Sequence, residues 1–354
     1  MSDQDSSVRA LSLQAQACQS MGSPFSAGIL RQAAEDVADG GPTRALLAPW
    51  GGRGARAQIA DAVPLRLLGA LHDLVLSGEA PALSALYPSP SFAGDPAGAW
   101  SVAADLLETQ SGRIAAFMGH EPQTNETRRS VALLPGFLTV ASETGMPIRC
   151  FEIAASAGLN QLWDRYRYDL GEAGAWGDPD SDVRLDTDWR GPPPPLDASV
   201  QVIERAACDR APVDVRDPVA RRRLKAYIWP DQLERLARLE AAIQCALAAG
   251  GTVEAENALT WPRRRAVPRV GAATVLFHSV FWTYLSSDDQ AALESEIGRL
   301  GAQATPSSPF AWLRIEPPPD NIALMDIRLT LWPAGEERLL GRCHPHAAWV
   351  EWLG

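Results

Sequence analysis

The stretch "PIRCFEIAASAGLNQLWDRY", Pro147–Tyr166, decides how the chain folds. "IRCFEIA" has the apolar, β-favouring texture of a buried strand, and a helical pattern follows from Leu159. Between them Glu152, Ala154, Ser156 and Gly158 alternate at a spacing of two residues. One reading is a cofactor loop, in which small residues let the backbone approach a ligand and the opening helix aims its free N–H groups there. A second is a nucleophile elbow, small-x-Ser-x-small, with Ser156 at the tip of a sharp strand-to-helix turn. A third is a tightly packed turn that binds nothing.

What precedes the stretch bears on the choice. Leu67, Leu68, Leu71, Leu74 and Val75 recur at helical spacing, as do Ala103, Leu106 and Leu107. No period-two strand pattern occurs before Pro147. A hydrolase elbow needs strands upstream of its nucleophile, so the missing strands weigh against Ser156, although Glu316 or Asp320 with His344 or His346 supply the order Ser-acid-His. A first strand of a sheet suits the cofactor loop. Glu152 at its end repels a phosphate and suits a hydroxyl-bearing or cationic ligand, such as a sulfonium cofactor that carries an amino group.

Downstream, short apolar runs alternate with helices. "SVQVIERAACD", "TVEAEN", "ATVLFHSV" and "FAWLRIE" read as strands, and Leu233, Leu236, Leu239, Ile243 and Leu247 form one helical stripe. "SSDDQAALESEIGRL" reads as a capped helix. "NIALMDIRLTLW", "PAGEE" and "RLLGRCHPHAAWVEWL" close the chain as an antiparallel hairpin. The alternation predicts an α/β fold. A helical N-terminal domain over 1–120 precedes a Rossmann-like domain over 121–354, whose mostly parallel sheet ends in the hairpin. A proline-rich loop insertion is expected near 166–198.

The 354 residues carry a net charge of −11, which argues against a nucleic-acid or anionic-membrane surface. The basic runs Arg221–Arg223 and Arg263–Arg265 read as solvated faces or helix ends. Five scattered cysteines without a CxxC make neither a disulfide framework nor a zinc site. The first residues lack the pattern of a signal peptide, and no apolar run reaches membrane-spanning length. A soluble cytoplasmic protein acting on a small molecule is expected, with no nucleic-acid or membrane partner.

Glu152-x-Ala154-x-Ser156-x-Gly158 resembles the first motif of class I S-adenosylmethionine-dependent methyltransferases, an acid followed by G-x-G-x-G, with Ala154 and Ser156 replacing two glycines. "QTNETRRSVALLPGF", "FEIAASAGLNQLWDRYRYDLG", "DRAPVDV", "YIWPDQLERLARL", "VLFHSVFWTYL" and "HPHAAWVEWL" together resemble a bacterial family, domain of unknown function 2332, regarded as methyltransferase-like. The resemblance implies S-adenosylmethionine as cofactor. It places Asp209 at the end of the second strand, against the ribose hydroxyls, although Asp209 follows Glu152 by far more than the usual spacing of about 20 residues. Glu256 and Asn257 fall where such folds contact the adenine. Arg129, sharing a helical face with Asn125, would meet the cofactor's carboxylate.

Methyl transfer is an in-line displacement, and a base helps when the acceptor must lose a proton. His278 and Ser279, at the end of "TVLFHS", are the candidate catalytic residues, with Trp282 and Tyr284 as walls of an acceptor pocket. Each has an alternative as ordinary core. Tyr166 and Tyr168 read as a substrate lid or as helix-end packing. His344 and His346 lack a third ligand, so no metal site is expected. Three functions follow: a methyltransferase, a methyltransferase-like protein that binds a ligand or partner without catalysis, and a serine hydrolase using Ser156.

Overall fold

A computed structural model describes residues 3–321 and 323–354. The chain forms two compact units, Met1–Thr124 with Asp217–Ala237, and Asn125–Arg216 with Arg238–Gly354. The first break falls close to the expected one. The helical unit also takes in Asp217–Ala237, a segment that sequence periodicity assigns to the other domain.

The helical unit is built on Asp3–Ser20, Pro24–Asp39, Val63–Leu76, Pro96–Thr109 and Ser111–Met118. Leu11, Ile29, Leu30, Leu67 and Leu71 meet in its core, where Tyr227 and Trp229 of the returning segment are also buried. Polar bonds hold that segment in place. Asp231 accepts from Phe25 N at 2.9 Å and from the Ser23 hydroxyl, so it caps the helix that begins at Pro24. Arg222 Nε donates to the buried Asp73 at 2.7 Å. His72 Nδ1 lies 3.0 Å from the carbonyl of Ile228.

The second unit carries every strand found among the described residues. They are β1 (Ile148–Ile153), β2 (Arg167–Asp169), β3 (Ala175–Trp176), β4 (Arg184–Asp186), β5 (Asp188–Arg190), β6 (Val202–Asp209), β7 (Val253–Ala255), β8 (Ala273–Ser279), β9 (Phe310–Glu316), β10 (Met325–Trp332), β11 (Glu336–Cys343) and β12 (Trp349–Trp352). The large sheet runs β5-β12-β11-β10-β9-β8-β1-β6-β7. Strands β7, β6, β1, β8 and β9 are parallel, while β9 to β12 form an antiparallel meander, longer than the expected hairpin. Every residue of β1 is buried, as a central parallel strand requires. The sheet is Rossmann-like, with the order reversing between β1 and β8.

Two local expectations are corrected. The insertion after Tyr166 is not all loop: β2, β3 and β4 make a second, three-stranded sheet and β5 joins the edge of the large one. The helix expected at Leu159 is a 3-10 segment, Leu159–Arg165, kinked at Leu162. Buried tyrosines are the reason. Tyr166 and Tyr168 donate their hydroxyls to the carbonyls of Leu159 and Trp163, each at 2.6 Å, replacing the amide donors of a continuing α-helix. That is helix-end packing, and it leaves neither tyrosine available as a lid.

Candidate functional site

In an open parallel sheet, ligands bind beyond the carboxyl ends of the strands where the strand order reverses. Here that place lies past Ile153 of β1 and Ser279 of β8. The loop after β1 keeps the backbone of a glycine loop with only one of its glycines. Ala154, Ser156 and Gly158 have φ of 56°, 53° and 70°, all left-handed. For alanine and serine this conformation costs about 1–2 kcal/mol each. The surrounding bonds hold it. Ala155 N donates to Cys208 O at 3.1 Å, Ser156 N to Asp209 Oδ2 at 2.8 Å, and Val213 N to Ser156 O at 3.1 Å. Gly158 is required for a second reason, since a Cβ there would stand 2.8 Å from Val253 Cγ2.

Asp209 thus binds the loop with one oxygen and its own turn, through Ala211 N at 2.9 Å, with the other. One lone pair per oxygen remains. Leu159 N, expected to aim at a ligand, donates instead to Asn125 Oδ1 at 2.9 Å, and the Ser130 hydroxyl donates to Asn160 Oδ1 at 2.8 Å. Arg129 Nε donates to Pro345 O at 3.1 Å, joining the segment before β1 to the "HPH" loop. So the stretches around Asn125, Ser156 and Asp209, far apart in sequence, converge on this end of β1.

Unsatisfied polar atoms gather there as well. Glu152 Oε2, Ser156 Oγ and both amide atoms of Gln161 are buried without a hydrogen-bond partner. Burial and, after it, the neighbouring Asp209 carboxylate push the Glu152 carboxyl well above its ordinary range. Such atoms are rare in folded chains and call for a reason, of which a bound polar group is one.

Across the switch point His278 is fully buried. Its Nε2 accepts from the Trp312 indole N–H at 3.0 Å, and an indole N–H can only donate, so the ring proton sits on Nδ1. Nδ1 donates to Glu316 Oε1 at 2.7 Å. As placed, neither nitrogen is open to an acceptor, and the expected base is a packed core histidine. The Glu316 carboxylate also accepts from Phe281 N and Trp282 N, at 2.9 and 3.1 Å. It thereby fixes the turn in which Val280 takes φ 52°, a strained value for a β-branched residue. Ser279 is half-buried beside it, Trp282 stacks on His278, and Tyr284 is exposed.

Asn257 is exposed on the turn after β7, where its Oδ1 accepts from Leu259 N at 2.8 Å, and Glu256 pairs with Arg264. Both side chains are thus engaged locally, while Glu256 N donates to Asp209 O at 3.0 Å. Sequence reasoning missed Gln161 and the roles of Asn125 and Glu316. Asn125 stands in a motif stretch, the one signal that pointed to it.

Among the described residues no group of three or more His, Cys, Asp or Glu is placed to hold a metal ion, and no helix is long and apolar enough to cross a membrane. Comparison with curated proteins and with solved structures gives no match. A family profile, described as "uncharacterized protein conserved in bacteria", matches residues 8–352. The chain therefore belongs to the family of domain of unknown function 2332.

Proposed function

We propose that the chain is an S-adenosylmethionine-dependent methyltransferase acting on a small molecule. One observation carries the reading: a loop of three alternating left-handed residues, Ala154, Ser156 and Gly158, lies at the switch point beside the unpartnered Glu152 Oε2 and Ser156 Oγ. The donor set fits the cofactor. Glu152 and the Gln161 amide would receive its amino group, and the spare lone pairs of Asp209 would suit its ribose hydroxyls. When bound, the cofactor supplies an activated methyl group. The chain's part is to hold donor and acceptor in line, because a displacement of this kind depends chiefly on alignment. A cation next to Glu152 would favour its carboxylate form.

The engagement of both His278 nitrogens favours a second reading, ligand binding without catalysis, since the expected base is occupied. The hydrolase reading lacks support, because Ser156 Oγ has no base bonded to it. Calorimetric titration with S-adenosylhomocysteine tests the first two. The expected result is saturable binding, weakened in Asp209→Ala and Glu152→Ala. Absence of binding at millimolar ligand removes the first reading and leaves the second. Labelling of Ser156 by a fluorophosphonate probe would restore the third.

A further inference from the structure

The small sheet carries an unusual charge register. In the parallel pair β2–β4, Arg167 lies directly opposite Arg184, and Asp169 directly opposite Asp186. Tyr168 and Leu185 between them are buried, so the four charged side chains share the outer face. They line an open hollow of about 520 Å³, floored by Gly171, Gly174 and Ala175. Like charges directly opposite destabilise a strand pair, and exchanging one Arg–Asp pair would remove the cost. Yet among the described residues neither arginine makes an ion pair. Each is held by a backbone carbonyl instead, Arg167 by Gly177 O at 2.9 Å and Arg184 by Pro179 O at 2.8 Å. The acids are only lightly used. Asp169 accepts from Gly171 N at 2.9 Å, and the exposed Asp186 carboxylate lies 3.4 Å from Arg128.

We propose that this hollow is a binding site for a zwitterionic small molecule, its anionic group between Arg167 and Arg184 and its cationic group between Asp169 and Asp186. Adjacent strands are about 4.8 Å apart, close enough for two guanidinium groups to share one carboxylate. Two residues along a strand span about 6.6 Å, which sets the distance between the ligand's charged ends. A short ligand such as an α-amino acid cannot reach both pairs, and a lone anion meets the two carboxylates at the far end.

A length series of ω-amino acids tests this without reference to the cofactor. Nuclear magnetic resonance titration at low salt should show saturable shifts of the Arg167 and Arg184 side-chain signals with ε-aminocaproate. Glycine, hexanoate and hexylamine should bind at least about tenfold more weakly, each lacking the length or one charge. The double variant R167Q/R184Q and, separately, D169N/D186N should each lose the binding. R216Q, whose exposed pair with Asp214 lies outside the hollow, should keep it. These positions are on the outer face, and circular dichroism verifies that each variant is folded. Equal binding of hexanoate and ε-aminocaproate, binding retained in R167Q/R184Q, or no saturable shift at millimolar ligand overturns the proposal.

Discussion

Ser156 donates its backbone N–H to Asp209 Oδ2 at 2.8 Å, so the end of β6 holds the loop after β1 in its left-handed form. Asp209→Ala removes the acceptor for both Ser156 N and Ala211 N. A hydrogen bond to a charged group contributes about 1.5–3 kcal/mol, and partial exposure places the loss at the lower end. Urea unfolding should show destabilisation of about 1.5 kcal/mol, with a smaller loss in Asp209→Asn.

The strain itself is measurable. Ser156→Gly relieves a left-handed serine at about 1–2 kcal/mol and incurs about 0.5–1 kcal/mol of glycine entropy. A net gain of about 0.5 kcal/mol is expected, seen as a higher denaturation midpoint. Gly158→Ala should do the opposite, since its Cβ meets Val253 at 2.8 Å with φ at 70°. An unchanged midpoint in both variants would show that the loop is not held as described.

Glu316 is expected to be the more costly residue to remove. Glu316→Ala strands the His278 Nδ1–H and the amides of Phe281 and Trp282. Leaving such buried donors unpaired costs about 3 kcal/mol or more, whereas Glu316→Gln keeps one acceptor oxygen and should lose less. Nitrogen-15 spectra of the wild type should show His278 protonated on Nδ1 and bare on Nε2.

Two buried groups give the units opposite responses to pH. His72, in the helical unit, is lowered by burial from 6.5 to about 4. The unfolded chain binds its proton first, so stability falls as pH drops from 6.5 towards 4, by about 3 kcal/mol at full effect. Glu152, in the sheet unit, is raised by burial and by Asp209 from 4.5. Here the native state keeps the proton longer, so stability falls as pH rises above 4.5 through the folded value. His72→Gln should flatten the acid limb of a stability–pH profile, and Glu152→Gln the limb at higher pH.

Periodicity in the sequence determined much. The helical character before Pro147, the strands from "IRCFEIA" onward and the alternation that makes a parallel sheet all depend on local pattern, which each segment carries alone. The E-x-A-x-S-x-G spacing likewise located the turn, because a strand running into a tight turn needs small residues there whatever it binds. Tertiary structure decided the rest. That Asp217–Ala237 packs with the helical unit depends on Asp231 and Arg222 meeting Ser23, Phe25 and Asp73, partners about 150 or more positions away. The 3-10 turn at Leu159 depends on two tyrosine hydroxyls that no helix propensity encodes. His278 looked like a base because a histidine at a strand end can be one. Only its distances to Trp312 and Glu316 show both nitrogens engaged, and hydrogen bonds between neighbouring strands leave no mark on the spacing of residues within one.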